Sequence, residues 1–130
     1  MLIPNVTCKI SAYCPIYPSE DPKKVKKALS NIFGDAKITL DKNSVKASSN
    51  DLEVLEKIFE VIHSRKTERI YRRHLNTNLV DDTTWFYLNK QAAFVNAVAL
   101  CGEDDESPLG PIKVILKSND IEHVIEWLIS

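Results

Sequence analysis

Residues 6–14, VTCKISAYC, alternate without interruption: Val6, Cys8, Ile10, Ala12 and Cys14 fall on one side, Thr7, Lys9, Ser11 and Tyr13 on the other. A period of two is the pattern of a β-strand with one buried and one wet face. The chain therefore builds a sheet that is covered on one side only. Pro15 and Pro18 end the strand.

Outward from this strand, residues 17–33 read YPSEDPKKVKKALSNIF. Asp21 suits a helix N-cap, and Pro22 suits the first helical position, where a missing N–H is no loss. Val25, Ala28, Leu29, Ile32 and Phe33 make the apolar stripe, and Gly34 suits the position after the last turn. Residues 36–48 form a hairpin in which Ile38 and Leu40 face Val45 and Ala47 across Asp41-Lys42-Asn43. Asn50 or Ser49 caps a long helix starting at Asp51, with Leu52, Leu55, Ile58, Phe59 and Ile62 as its stripe. That pattern continues to about Leu75, with a break expected near Ser64. Residues 83–88, TTWFYL, are β-branched and aromatic, hence a strand. Asn89-Lys90-Gln91 turns into an apolar strand over 92–101. The acidic run Glu103–Glu106 and residues 107–111 form a solvated loop. Residues 112–117 alternate again, and Asn119 or Asp120 caps a last helix over Ile121, Val124, Ile125, Leu128 and Ile129.

The order β-α-β-β-α-β-β-β-α predicts an α+β fold. It is a two-layer sandwich: a mixed, mostly antiparallel sheet with helices on one face. Its 130 residues make a single domain over 1–130.

The totals narrow the function. Seventeen Lys+Arg against eighteen Asp+Glu exclude a wholly basic nucleic-acid coat. They do not exclude a local basic patch, because field strength depends on where charges sit. No apolar run reaches the roughly 18–20 residues that span a bilayer, and the start lacks the pattern of a secretory signal. Three cysteines are an odd count, so a disulfide framework is not expected and a cytoplasmic location is. Cys8 and Cys14 read as small core residues. His63, His74 and His123 lack metal-ligand spacing. Three glycines supply no nucleophile elbow, phosphate loop or dinucleotide fingerprint. No catalysis, metal or cofactor is expected.

One segment stands out, HSRKTERIYRRHL (63–75). Arg65, Lys66, Arg69, Arg72 and Arg73 give five positive charges against Glu68 alone. On a continuous helix all five fall within roughly 120° of arc and prolong the apolar stripe. Five uncompensated cations cannot be buried, so the helix either outruns the sheet or breaks. Guanidinium groups suit bidentate phosphate contact. The segment reads as a phosphate-binding face, or else as a solvated helix end whose arginines pair with acids at 81–82 and 103–106. Lys23, Lys24, Lys26 and Lys27 form a second cluster, placed against a helix dipole. Tyr13, Trp85, Tyr87 and Tyr71 offer stacking surfaces or serve ordinary sheet packing.

Three stretches, YPSEDPKKVKKALSNIF, LNKQAAFVNAVAL (88–100) with ESPLGPIKVIL (106–116), and IEHVIEWL (121–128), resemble an archaeal family of small uncharacterised proteins labelled RNA-binding. Its members resemble, in their mixed-sheet fold, the large-subunit ribosomal protein that carries five-S RNA. The resemblance implies an archaeal, cytoplasmic protein with an RNA role. Arg72 matches an arginine of the family's basic helix end, and Lys90 and Gln91 match its Lys-Gln pair. Three departures stand out: Asn96 replaces a usual glycine, Arg69 and Tyr71 replace an acid and a small residue, and the chain stops at Ser130 where relatives continue.

The expectation is therefore an RNA-binding module that contacts the phosphate backbone through Arg65, Lys66, Arg69, Arg72 and Arg73, extended by Lys90 and Gln91. The alternative is a homodimeric interaction or scaffold subunit, joined through an edge strand or the open sheet face.

Overall fold

The computed structural model describes residues 2–102 and 110–130. β1 (Lys9–Pro15) buries Ile10, Ala12 and Cys14 and turns Lys9, Ser11 and Tyr13 outward. α1 (Pro22–Phe33) starts where the Asp21 side chain accepts the Lys23 N–H at 3.0 Å, and it buries the expected stripe. It ends at Gly34, whose φ of +53° favours glycine. β2 (Lys37–Leu40) and β3 (Ser44–Ser49) form the hairpin with Ile38 opposite Ala47 and Leu40 opposite Val45.

The helical pattern expected from Asp51 to about Leu75 is three pieces, with the expected break falling just after Ser64. Asp51 caps a 3-10 turn, Leu52–Leu55, by accepting the Glu53 N–H. α2 (Glu56–Ser64) and α3 (Glu68–Thr77) follow, separated by Arg65, Lys66 and Thr67. Lys66 takes φ +55°, the Thr67 N–H bonds Ile62 O at 2.9 Å and the Lys66 N–H bonds His63 O at 3.3 Å. These two bonds satisfy the orphan carbonyls that a helix end leaves, in a Schellman-type termination. The break lies where the apolar stripe meets the cations.

β4 (Thr83–Asn89) runs as expected. The strand expected over 92–101 is a correction: the chain forms the short helix α4 (Lys90–Phe94), an irregular segment, and a two-residue β5 (Leu100–Cys101). The Asn89 side chain accepts the Ala92 N–H at 2.8 Å and so starts a helix instead of a turn. Asn96, at φ +62°, stops it with the same bond pattern, Ala97 N–H to Ala92 O at 2.9 Å. Asparagine is among the side chains that tolerate this backbone. β6 (Pro111–Lys117) and α5 (Ile121–Ile129) close the chain. Apart from Gly110 and Pro111, the loop expected over 103–111 lies outside the described residues.

The fold is α+β, a two-layer sandwich. Among the described residues, six strands lie in the order β2-β3-β1-β6-β4-β5, and every pair is antiparallel. The inward residues of β1, β3, β4 and β6 pack under the helices, with Phe33, Leu55, Ile58, Ile62, Phe86 and Val114 at the centre of the core. Among the described residues, no helix lies over the other sheet face. No helix among the described residues is long and apolar enough to cross a membrane.

Candidate nucleic-acid interface

α3 is amphipathic on its own axis. Tyr71 and Leu75 face the sheet and are buried. Thr84 Oγ1 donates to Leu75 O at 2.6 Å, which ties the helix to β4. At about 100° per residue, Arg69 and Arg73 then fall on the side away from the core, and both are exposed. The arc of cations therefore does not prolong the apolar stripe, as a continuous helix would require. The turn at Lys66 redirects the chain, and α3 keeps its arginines outward while its own apolar residues point in.

Arg65 and Lys66 occupy the turn and are exposed as well. Burial pushes the Tyr71 hydroxyl up to about 12, with the Arg65 charge opposing that rise. Arg72 lies on the flank toward α5. Its Nη1 and Nη2 donate to Glu126 Oε1 and Oε2 at 2.6 and 3.4 Å. The hydrogen bond from Arg72 lowers the Glu126 carboxyl below its ordinary value. Among the described residues, Arg65, Lys66, Arg69 and Arg73 have no acidic partner, and Asp81 and Asp82 pair with none of them. The acids at 103–106 lie outside the described residues.

Lys90 is corrected from a surface contact to a core ion. It is wholly buried, and its ammonium donates to Pro15 O at 2.6 Å and to Glu20 Oε1 at 2.9 Å. The Tyr17 ring lies 5.4 Å away. Gln91, next along α4, is exposed but stands on another element from the cationic turn. The lysines of α1 are all exposed, and Lys24 and Lys27 border an open cleft with Glu20, Asn31 and Phe94.

A cleft of about 380 Å³ opens beside the cationic turn, between Arg65, Ile70, Tyr71 and His74 on one wall and residues 98–102 on the other. Sequence pattern alone did not point to it, because it depends on residues 95–99 leaving the sheet. Burial pushes the Cys8 and Cys14 thiols up to about 11 each, which suits core residues. No group of three His, Cys, Asp or Glu side chains among the described residues lies together so as to hold a metal.

The chain has relatives among known proteins. Residues 9–118 match a family described as RNA binding. The chain is similar to a UPF0201 protein of Methanothermobacter thermautotrophicus, 37% identical over 92% of this chain and 89% of the relative. A UPF0201 protein of Sulfurisphaera tokodaii is 34% identical over 92% and 86%. The crystal structure of a UPF0201 protein from Methanococcus jannaschii superimposes with a TM-score of 0.79 at 29% identity, covering 93% of this chain and 92% of that one.

Proposed function

The chain belongs to the archaeal UPF0201 family and matches the family described as RNA binding, and from that premise we propose that it binds RNA through phosphate contacts made by Arg65, Lys66, Arg69 and Arg73. The observation that carries this reading is the exposure of four cations within nine residues, none with an acidic partner among the described residues. Such a surface gains affinity by releasing counterions from the polyanion. Three of the four are arginines, whose planar fork matches phosphate oxygens in pairs. Arg72 is a fifth cation, engaged by Glu126 until a stronger anion competes for it. Recognition is of backbone and shape, not of base sequence, and the reading includes no catalytic step. An odd count of three cysteines fits a reducing cytoplasm as the site of action.

Binding of a structured RNA at two ionic strengths tests the proposal. The expected result is affinity that falls steeply with salt, and a loss of both affinity and salt slope in Arg69→Glu plus Arg73→Glu. Micromolar binding that is indifferent to that double substitution rejects it.

A further inference from the structure

The sheet face without helices carries its own charge pattern. Among the described residues, the outward positions of the strands include Lys9, Lys37, Lys46, Lys113 and Lys117 and no acidic side chain. In a chain of net charge −1, that is a strong segregation. The strand register places the lysines around aromatic rings. Tyr13 lies directly between Lys46 on β3 and Lys113 on β6, and Trp85 lies one row further along, beside Ile115. Tyr13 is 46% exposed, so its ring is open to solvent. The Lys113 ammonium rests 4.8 Å over the Trp85 ring. Lys9 and Lys117 are directly opposite one another. Like charges at paired positions destabilise a sheet, so this face stores repulsion that a bound anion relieves.

We propose that the open sheet face is a second RNA site, one that takes an unpaired strand, with bases stacked on Tyr13 and Trp85 and phosphates held by Lys9, Lys46, Lys113 and Lys117. Aromatic rings on a flat sheet accept bases only when those bases are unpaired, because a duplex hides its base faces. Lys113 moves from the Trp85 ring to a phosphate as a base takes its place. A second copy of the chain is a poor occupant: face-to-face pairing of two such surfaces sets lysine against lysine. The site lies on the opposite layer from α3. It deepens the RNA-binding reading, and it rests on that reading for its ligand class.

The experiment measures fluorescence anisotropy of a labelled single-stranded RNA and of a matched duplex. It compares the intact protein with Tyr13→Ala, Tyr13→Phe, Lys46→Gln plus Lys113→Gln, and Arg69→Glu plus Arg73→Glu. Thermal melting confirms that each variant is folded. Tyr13→Ala is expected to weaken single-strand binding roughly tenfold and to leave duplex binding unchanged, while Tyr13→Phe retains affinity. The lysine pair lowers the salt slope by about 1.4, two phosphates at roughly 0.7 each. Single-strand binding by Tyr13→Ala equal to that of the parent overturns the sheet site; if the arginine pair still loses affinity, the phosphate reading of α3 survives. Loss in Tyr13→Ala with none in the arginine pair upholds the sheet site and removes the α3 reading. A protein dimer in sedimentation that Tyr13→Ala dissolves also overturns the sheet site, by showing that the face is a self-interface.

Discussion

The ammonium of Lys90 lies 2.9 Å from Glu20 Oε1, seventy residues away in sequence, inside a site where the lysine is wholly buried. The same carboxylate oxygen accepts the Tyr17 N–H at 3.0 Å, and Pro15 O accepts a second bond from Lys90. The pair thus pins α4 to the end of β1 and to the loop that leads into α1. Breaking one half strands the other charge in the core. Lys90→Ala is expected to cost about 3–5 kcal/mol, read as a fall in the urea midpoint. Lys90→Met with Glu20→Gln should recover most of that loss, since both charges are then gone. A single substitution as mild as the double one contradicts the pairing.

Arg72 and Glu126 make a bond of a different kind. Both side chains are largely exposed, so the pair holds α3 to α5 through solvent-screened contact. Its consequence concerns binding more than folding. Glu126→Gln leaves the fold in place and frees Arg72 for phosphate. The expected outcome is tighter RNA binding with a salt slope steeper by roughly 0.7–0.9, one added phosphate contact. An unchanged slope in titrations across several salt concentrations places Arg72 outside the interface. Acid does what the substitution does. Because Arg72 lowers the Glu126 carboxyl, the pair persists through neutral pH and is released only below the ordinary carboxylate range.

Lys66 and Asn96 both hold positive φ at helix ends, without being glycine. An L side chain in this region is strained by its Cβ. Lys66→Gly relieves that strain and is expected to stabilise the protein by about 0.5–1 kcal/mol, at the loss of one cation from the proposed interface. Stability and RNA affinity should therefore move in opposite directions in this one variant. Asn96→Gly is expected to gain less, because the Asn96 side chain also accepts a bond from Lys57. Thermal melting of both variants decides the matter, and a lowered melting point for Lys66→Gly refutes the argument.

The same two positions explain where sequence pattern stopped being informative. Period-two alternation placed β1 and β6 on their correct faces, and the cap and stripe of α1 were legible because Asp21, Pro22 and Gly34 act locally. The hairpin register followed from Ile38, Leu40, Val45 and Ala47 for the same reason. Residues 92–100 were not legible as helix and loop, since an apolar run of that length fits a buried strand equally well. What decided it was the Asn89 cap and the backbone at Asn96, which apolar periodicity does not register. Lys90 was misplaced because its partner, Glu20, is brought to it only by the fold. The cationic turn was legible as a charge cluster, but its direction depended on a break that no glycine marked.

Cys8 and Cys14 give the pH dependence of stability a definite sign. Desolvation raises both thiols from 9.0 to about 11 in the folded protein; at Cys14 the nearby Lys90 charge opposes the rise and Glu20 adds to it. The unfolded chain releases these protons first, near its ordinary value. A group whose folded pKa is raised contributes stability in full below the unfolded pKa, and that contribution disappears as pH rises through the folded one. Stability is therefore expected to fall between about pH 9 and pH 11, and less so in a Cys8→Ala plus Cys14→Ala variant. Urea midpoints at stepped pH measure the difference. Alkylation supplies an independent reading, since only the thiolate reacts. Near pH 8, Cys8 and Cys14 should resist modification in the native protein and become reactive on unfolding. Modification of Cys8 and Cys14 in the native protein as fast as in the unfolded chain would show that the side of the sheet carrying them is not the closed one.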